Sequence, residues 1–280
     1  MKNIKTSLIL SCLTLPLLSF SAETATSDAP PAAKKHSTLE LARAAQNPLT
    51  AIISLPFQNN TNLNVGPDNQ TQNILLVQPA IPFELNDDWN LIQRTIMPIT
   101  TQPGYITGDG TKTGLGNTQV LAYFSPKDSF NGWYFGASPL LILPASSTDY
   151  GSKNWGYGAS AVALTMPGTW VIGILFTQQW MAAGADSAQV NTTTVQYFVN
   201  YNIPDTGGWY LSTTPTMTYN KRAAAGNRFD IPVGGGVGKV FHWGKQAMNF
   251  RTNVYKNVVK PTANSSDWQI QAQLTFMFPR

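Results

Sequence analysis

The sequence predicts an all-β fold: a transmembrane, up-and-down antiparallel β-barrel of about twelve strands, preceded by a short N-terminal helix. Three observations predict it. The stretch 268–278 reads W-Q-I-Q-A-Q-L-T-F-M-F. Trp268, Ile270, Ala272, Leu274, Phe276 and Phe278 therefore share one side of an extended chain, and Gln269, Gln271, Gln273 and Thr275 share the other. Tryptophan recurs at 89, 133, 170, 209 and 243, each at or beside a tight turn, which sets a repeating unit of about 34 to 44 residues. Only 11% of the 280 residues are Asp, Glu, Lys or Arg, against about 25% in ordinary soluble proteins, so a medium other than water covers much of the surface.

The final stretch also says which medium. A half-buried strand of a soluble protein carries charge on its wet side, whereas this one sets uncharged glutamines opposite a rising series of aromatics. Lipid outside and water inside suit that pattern, because transmembrane barrel strands need about 9 to 11 residues and carry aromatic girdles at both interfaces. The strand resembles the terminal strand by which barrels of the Gram-negative envelope meet their assembly machinery, except that Pro279 and Arg280 follow the aromatic. The expected location is the cell outer membrane, with outer-membrane lipid and lipopolysaccharide as surroundings.

At the N-terminus, Lys2 and Lys5 precede an apolar run from Leu8 to Phe20 and the small residues Ser21 and Ala22, which reads as a secretory signal peptide over 1–22. The one cysteine, Cys12, lies within it, so the processed chain has no thiol for disulfides or metal ligation. Loss of Lys2 and Lys5 takes the formal charge from +4 to +2, a scattered excess that offers nucleic acid no footprint.

Residues 23–50 read as a disordered Ala/Pro/Ser/Thr lead and then a short helix. Ser37 stands three residues before Glu40, a capping-box spacing, and Pro48 ends the run of helix formers. The barrel is expected over 51–280, with strands at 53–65, 71–85, 89–100, 117–125, 133–143, 155–166, 170–182, 190–203, 209–219, 228–242, 246–258 and 268–278. The tight turns lie at 86–88, 128–132, 167–169, 204–208 and 243–245. Trp89, Trp133, Trp170, Trp209 and Trp243 then form an interface girdle on the short-turn side. Longer polar connections at 66–70, 101–116, 144–154, 183–189, 220–227 and 259–267 fall on the opposite rim. Pro79, Pro82 and Pro215 conflict with unbroken strands.

Residues in the inward phase are the candidates for function. Gln179 stands opposite Ile172, Ile174 and Phe176; Gln196 and Asn200 stand opposite Val195, Tyr197 and Val199. Arg94, Asp230, Asn249, Arg251 and Asn253 share that phase, with Gln269, Gln271 and Gln273 from the last strand. A charge facing lipid at mid-depth costs about 2 to 4 kcal/mol, which places Arg94 and Arg251 inside. Two arrangements are open for them. They line a polar path favouring anionic or hydrogen-bonding solutes, or they pair with Glu84 or Asp230 and fill the interior. Gly234, Gly236 and Gly238 leave room on the same face, where the helix at 38–46 is expected to pack as a plug.

Nothing in the sequence assembles a catalytic set. Its histidines are His36, in the lead, and His242, beside a turn, so a Ser-His pair is not expected, and the chain is read as no enzyme. Asp109 and Asp149 lie in predicted loops without the spaced oxygen ligands that calcium requires, so no metal or cofactor is assigned.

Several motifs carry a resemblance. They are Ile53-Ser54-Leu55-Pro56-Phe57-Gln58-Asn59-Asn60, Gly114-Leu115-Gly116-Asn117, Ala163-Leu164-Thr165-Met166-Pro167-Gly168, Phe198-Val199-Asn200-Tyr201-Asn202 and Pro232-Val233-Gly234-Gly235-Gly236-Val237-Gly238. Together they resemble a family of bacterial outer-membrane proteins taken to be transporters, related to the barrels of the meta-pathway of phenol degradation. Some of its members carry the misleading label neuromedin U. In that family Asp commonly follows Gly-Leu-Gly; here Asn117 stands in its place. The expected function is a porin-like passive channel for small solutes. The alternative is a barrel that conducts nothing and acts as a structural or surface-interaction protein of the outer membrane.

Overall fold

The computed structural model describes residues 37–65, 69–103, 110–181, 191–262 and 265–279. The predicted signal peptide, the lead up to residue 36 with His36, and Asp109 lie outside them.

Twelve antiparallel strands close into a barrel. They are β1 Ile53–Val65, β2 Gln70–Val77 with Ala80–Glu84, β3 Trp89–Gln102, β4 Lys112–Leu115 with Gln119–Pro126, β5 Trp133–Ile142 and β6 Gly156–Thr165. Then follow β7 Trp170–Met181, β8 Asn191–Asn202, β9 Trp209–Thr213 with Thr216–Asn220, β10 Phe229–Trp243, β11 Gln246–Val259 and β12 Trp268–Phe278. Each strand pairs with the next, and β12 returns to β1 from Ile53↔Phe278 to Leu63↔Trp268, so the sheet has no free edge. Closure matters because an unpaired backbone edge cannot be solvated within lipid.

Local chemistry sets the short turns. Asn131 and Gly132 have φ of 50° and 80°. This left-handed pair suits a tight hairpin in which Phe130 and Trp133 exchange backbone hydrogen bonds of 2.8 and 3.0 Å. At the β2–β3 turn the Asn86 side chain accepts from the N–H groups of Asp88 at 2.9 Å and Trp89 at 2.8 Å.

Prolines account for the breaks in the ladder. The expected strand 71–85 is divided at Gln78-Pro79, and β9 is divided at Thr214-Pro215. Beside that second break, β9 pairs with β10 at Trp209–Ser212 and again at Thr218–Tyr219, and between the two lie Pro215 and Pro232, neither of which has an N–H to donate. Thr214 turns inward there, and its N–H donates to the Tyr255 hydroxyl at 3.1 Å. The expected loop 101–116 is corrected in part: Lys112–Leu115 is strand, paired with Ile99–Gln102.

The outer face carries Trp89, Trp133, Trp170, Trp209 and Trp243, all exposed, at the short-turn rim. A second group, Trp155, Trp180 and Trp268, stands at the other rim, with the Tyr157 and Trp180 rings 5.6 Å apart. Lys239 lies over the Trp209 ring at 5.0 Å and Lys256 over Trp268 at 5.6 Å, each ammonium stacking where an interface lets it reach water. The outer face of β1–β3 departs from a uniformly apolar belt, with Asn59, Thr61, Asn73, Gln93 and Thr95. These groups bond to one another, Thr61 to Asn73 at 2.8 Å and Gln93 to Thr95 at 2.7 Å, which lowers the cost of setting them against lipid.

Candidate channel lumen

Helix α1, Thr38–Gln46, begins with the expected capping box. The Ser37 side chain accepts from the Glu40 N–H at 3.2 Å, and the Glu40 carboxylate accepts from the Ser37 N–H at 2.8 Å. Its Leu41 and Ala42, each 1% exposed, pack on Tyr210, Val240, Ala247 and Met277. Register places those four on the inner face near the short-turn end, so the helix lies inside the barrel. Gln46 and Asn202 exchange two side-chain hydrogen bonds of 2.8 and 3.2 Å, which fix the end of the helix to β8. The expected seat on Gly234, Gly236 and Gly238 is corrected. A Cβ at Gly238 would strike the Tyr210 ring, and Cβ atoms at Gly234 and Gly236 would strike the β11 backbone, so the space left by these glycines is already filled.

Beyond the helix lies a cavity of about 370 Å³. Arg94, Gln179, Gln196, Asn200, Arg251 and Gln273 line it. The other sequence candidates sit in the wall beside it. Asn249 accepts from the Tyr210 hydroxyl at 2.8 Å, and Asn253 donates to Gln271 at 3.1 Å. Gln271 donates to Asn60 at 3.3 Å and Gln269 to Asn62 at 2.9 Å. Asp230 faces inward opposite Thr218, and its Oδ1 is buried without a hydrogen-bond partner among the described residues.

The expected ion pairs of the two arginines do not form. Arg94 donates from Nη2 to the Gln78 side chain at 2.7 Å, and Arg251 from Nη2 to the Gln273 side chain at 2.7 Å. Glu84 instead meets Lys127 at 3.1 Å near the short-turn rim. Among the described residues that line the cavity, Arg94 and Arg251 are the charged ones and no carboxylate is present. Both open onto the same cavity. Each guanidinium has five donors and spends one of them on an amide, so the space between the walls is electropositive.

Sequence reasoning missed the other half of the interior. Leu49, Ile92, Leu121, Tyr123, Leu140, Ile142, Val162, Leu164, Val171 and Phe198 pack into one buried cluster on the inner face of β3 to β8. Leu49 enters because Gly136 has no Cβ; one there would come within 2.6 Å of it. The signal was the lack of alternation at 159–166, A-S-A-V-A-L-T-M, which marks a strand apolar on both faces. His242 sits exposed at the β10–β11 hairpin, and the described residues hold no cluster of His, Cys, Asp and Glu suited to a metal ion.

A closed wall, girdles at both rims and an interior isolated from lipid define an outer-membrane β-barrel. No protein-family model matches the sequence, and no curated protein does. Solved structures do match. An outer membrane channel from Pseudomonas putida superposes with a TM-score of 0.63 at 15% identity, over 83% of this chain and 97% of that one. Outer membrane phospholipase A from Escherichia coli gives 0.43 at 12% identity, over 82% and 92%. A Salmonella typhi outer membrane phospholipase dimer with bound calcium gives 0.44 at 14% identity, over 86% and 97%. The exclusion of enzymatic activity drawn from the sequence is corrected here to an open question, since outer membrane phospholipases are among its distant structural likenesses. Those two likenesses carry no activity over to this chain, and the first carries its fold.

Proposed function

We propose that the barrel is a passive channel for small solutes, with helix α1 as an inner plug at its short-turn end. The observation that carries this reading is the cavity lined by two arginines and, among the described residues, by no carboxylate, within a wall that faces lipid. A charge inside a membrane protein is costly, and it is commonly kept where it meets a solute or an ion. The fold shared with the Pseudomonas putida channel supports the reading, as does the resemblance of the sequence motifs to barrels of phenol-degradation context. In the same reading β12 is the strand presented to the assembly machinery, and the two girdles meet lipid and lipopolysaccharide.

The test is conductance of the purified protein in planar lipid bilayers. Discrete steps are expected, and removal of residues 23–47 raises their size because Leu41 and Ala42 no longer occupy the inner face. Silence of both the full chain and the shortened one overturns the channel. Steps of unchanged size in the shortened chain overturn the plug. The packed apolar half of the interior favours the alternative of a non-conducting structural barrel, and silence is the result that supports it.

A further inference from the structure

We infer that the cavity recognises one class of solute, a small amphipathic anion: a monocarboxylate whose charged end is held by Arg94 and Arg251 and whose short apolar body rests on Ile96, Leu121, Leu175 and Phe198. The inference rests on the channel reading and names what the lumen selects. Both arginines line the cavity, and so do these four apolar side chains. Leu121 is the direct cross-strand neighbour of Arg94, so charge and apolar surface adjoin at a single step of the ladder.

Charge narrows the class first. Among the described residues no carboxylate lines the cavity, so a cation meets two like charges there and no partner. A neutral solute leaves both guanidiniums without a counter-charge. Donor capacity narrows it further. The amides of Gln78 and Gln273 each take one N–H and orient the group, which leaves further N–H donors on each guanidinium. Planar guanidinium donors match a planar carboxylate in two-point contact. The apolar side excludes the fully hydrated anions. Phosphate or sulfate set against Leu121 and Phe198 loses solvation on a face that returns no hydrogen bond, whereas a hydrocarbon body gains from the same contact. A volume of about 370 Å³ lies at the small end of ligand sites, so the body is a few carbons long.

Isothermal titration of the full-length protein in detergent tests this without any ion flow, using hexanoate, hexan-1-ol, hexylammonium and inorganic phosphate as probes. Hexanoate is expected to bind, and the other three to bind at least about tenfold more weakly. Arg251→Gln and Arg94→Gln each weaken hexanoate by about tenfold, and Arg251→Lys, which keeps the charge and loses the fork, falls between. Equal binding of hexanoate and hexan-1-ol overturns the inference, as does phosphate binding as tightly as hexanoate, or hexanoate affinity unmoved by the substitutions. If one glutamine variant loses the heat-modifiable gel shift of a folded barrel, the other decides. A barrel that is silent in bilayers yet binds hexanoate refutes the channel alone. One that conducts without this preference refutes the inference alone.

Discussion

The two halves of the inner wall differ in what they do with an inward side chain. From β3 to β7 the inward residues Ile92, Leu121, Leu140, Ile142, Val162, Leu164 and Val171 pack on one another as in a soluble core. From β8 to β12 and on to β1 the inward residues include Asn200, Ser212, Asn249, Asn253, Gln271 and Asn62, equally buried but polar. Oδ1 of Asn200, Oγ of Ser212, Nε of Arg251 and Oδ1 of Asn253 are buried with no hydrogen-bond partner among the described residues. The apolar half supplies packing for the barrel, and the polar half supplies the hydrogen-bonding groups on which the proposed selectivity rests. The open cavity lies where the two meet, with Leu121 and Leu175 on one side and Arg251 and Gln273 on the other.

The largest expected effect breaks the apolar half. Leu164 is 0% exposed and sits within the cluster, so Leu164→Ala leaves a cavity and costs about 2 to 5 kcal/mol, read as a lower urea midpoint in liposomes. A loss below about 0.5 kcal/mol, as at an ordinary surface site, means that this half is hydrated after all. On the polar half the sharper probe is Tyr255→Phe, which preserves shape. The Tyr255 hydroxyl accepts from the Thr214 N–H at 3.1 Å and lies 3.2 Å from the Thr214 hydroxyl. Its removal strands a buried N–H at the proline break between β9 and β10 and costs about 1 to 3 kcal/mol in the same assay. Faster amide exchange at Thr214 is the local signature.

Alternation shows which face of a strand turns inward, because period two is a property of the backbone. It does not show what fills the interior, which depends on residues far apart in the chain. The phase of β12 was therefore legible from Gln269, Gln271 and Gln273, and the partners of Arg94 and Arg251 were not. Pairing with Glu84 assumed depth from sequence, whereas Glu84 ends β2 at the rim beside Lys127. The capping box of α1 was legible because it is local, and its seat on Val240 and Tyr210 was not. Asn117 is a further case. Its amide donates to the Leu143 carbonyl at 2.9 Å and the Ser152 carbonyl at 2.8 Å, and its oxygen accepts from the Ser152 N–H at 2.8 Å. An aspartate has no donors for the two carbonyls, so Asn117, where the barrels that these motifs resemble commonly carry Asp, is a local exchange of charge for hydrogen bonds.

The smallest expected effect lies on the long-loop rim above the polar half. Asp267 forms an ion pair with Lys260 and accepts from the Asn64 side chain at 3.1 Å, tying the β11–β12 connection to the end of β1. The Lys260 hydrogen bond, and then that of Asn64, hold the Asp267 carboxyl below the ordinary carboxylate range. A carboxyl lowered in the folded state contributes stability above its unfolded value of about 3.9, and that contribution fades as pH falls through the lower folded value. Asp267→Asn is thus expected to lower the urea midpoint slightly at neutral pH and to match the parent protein once both carboxyl values have been passed. The pair is exposed, so added salt shrinks the neutral-pH difference. A difference that persists unchanged in acid assigns the contact to packing of the connection, and the contrast between the two halves then ends at the membrane rim.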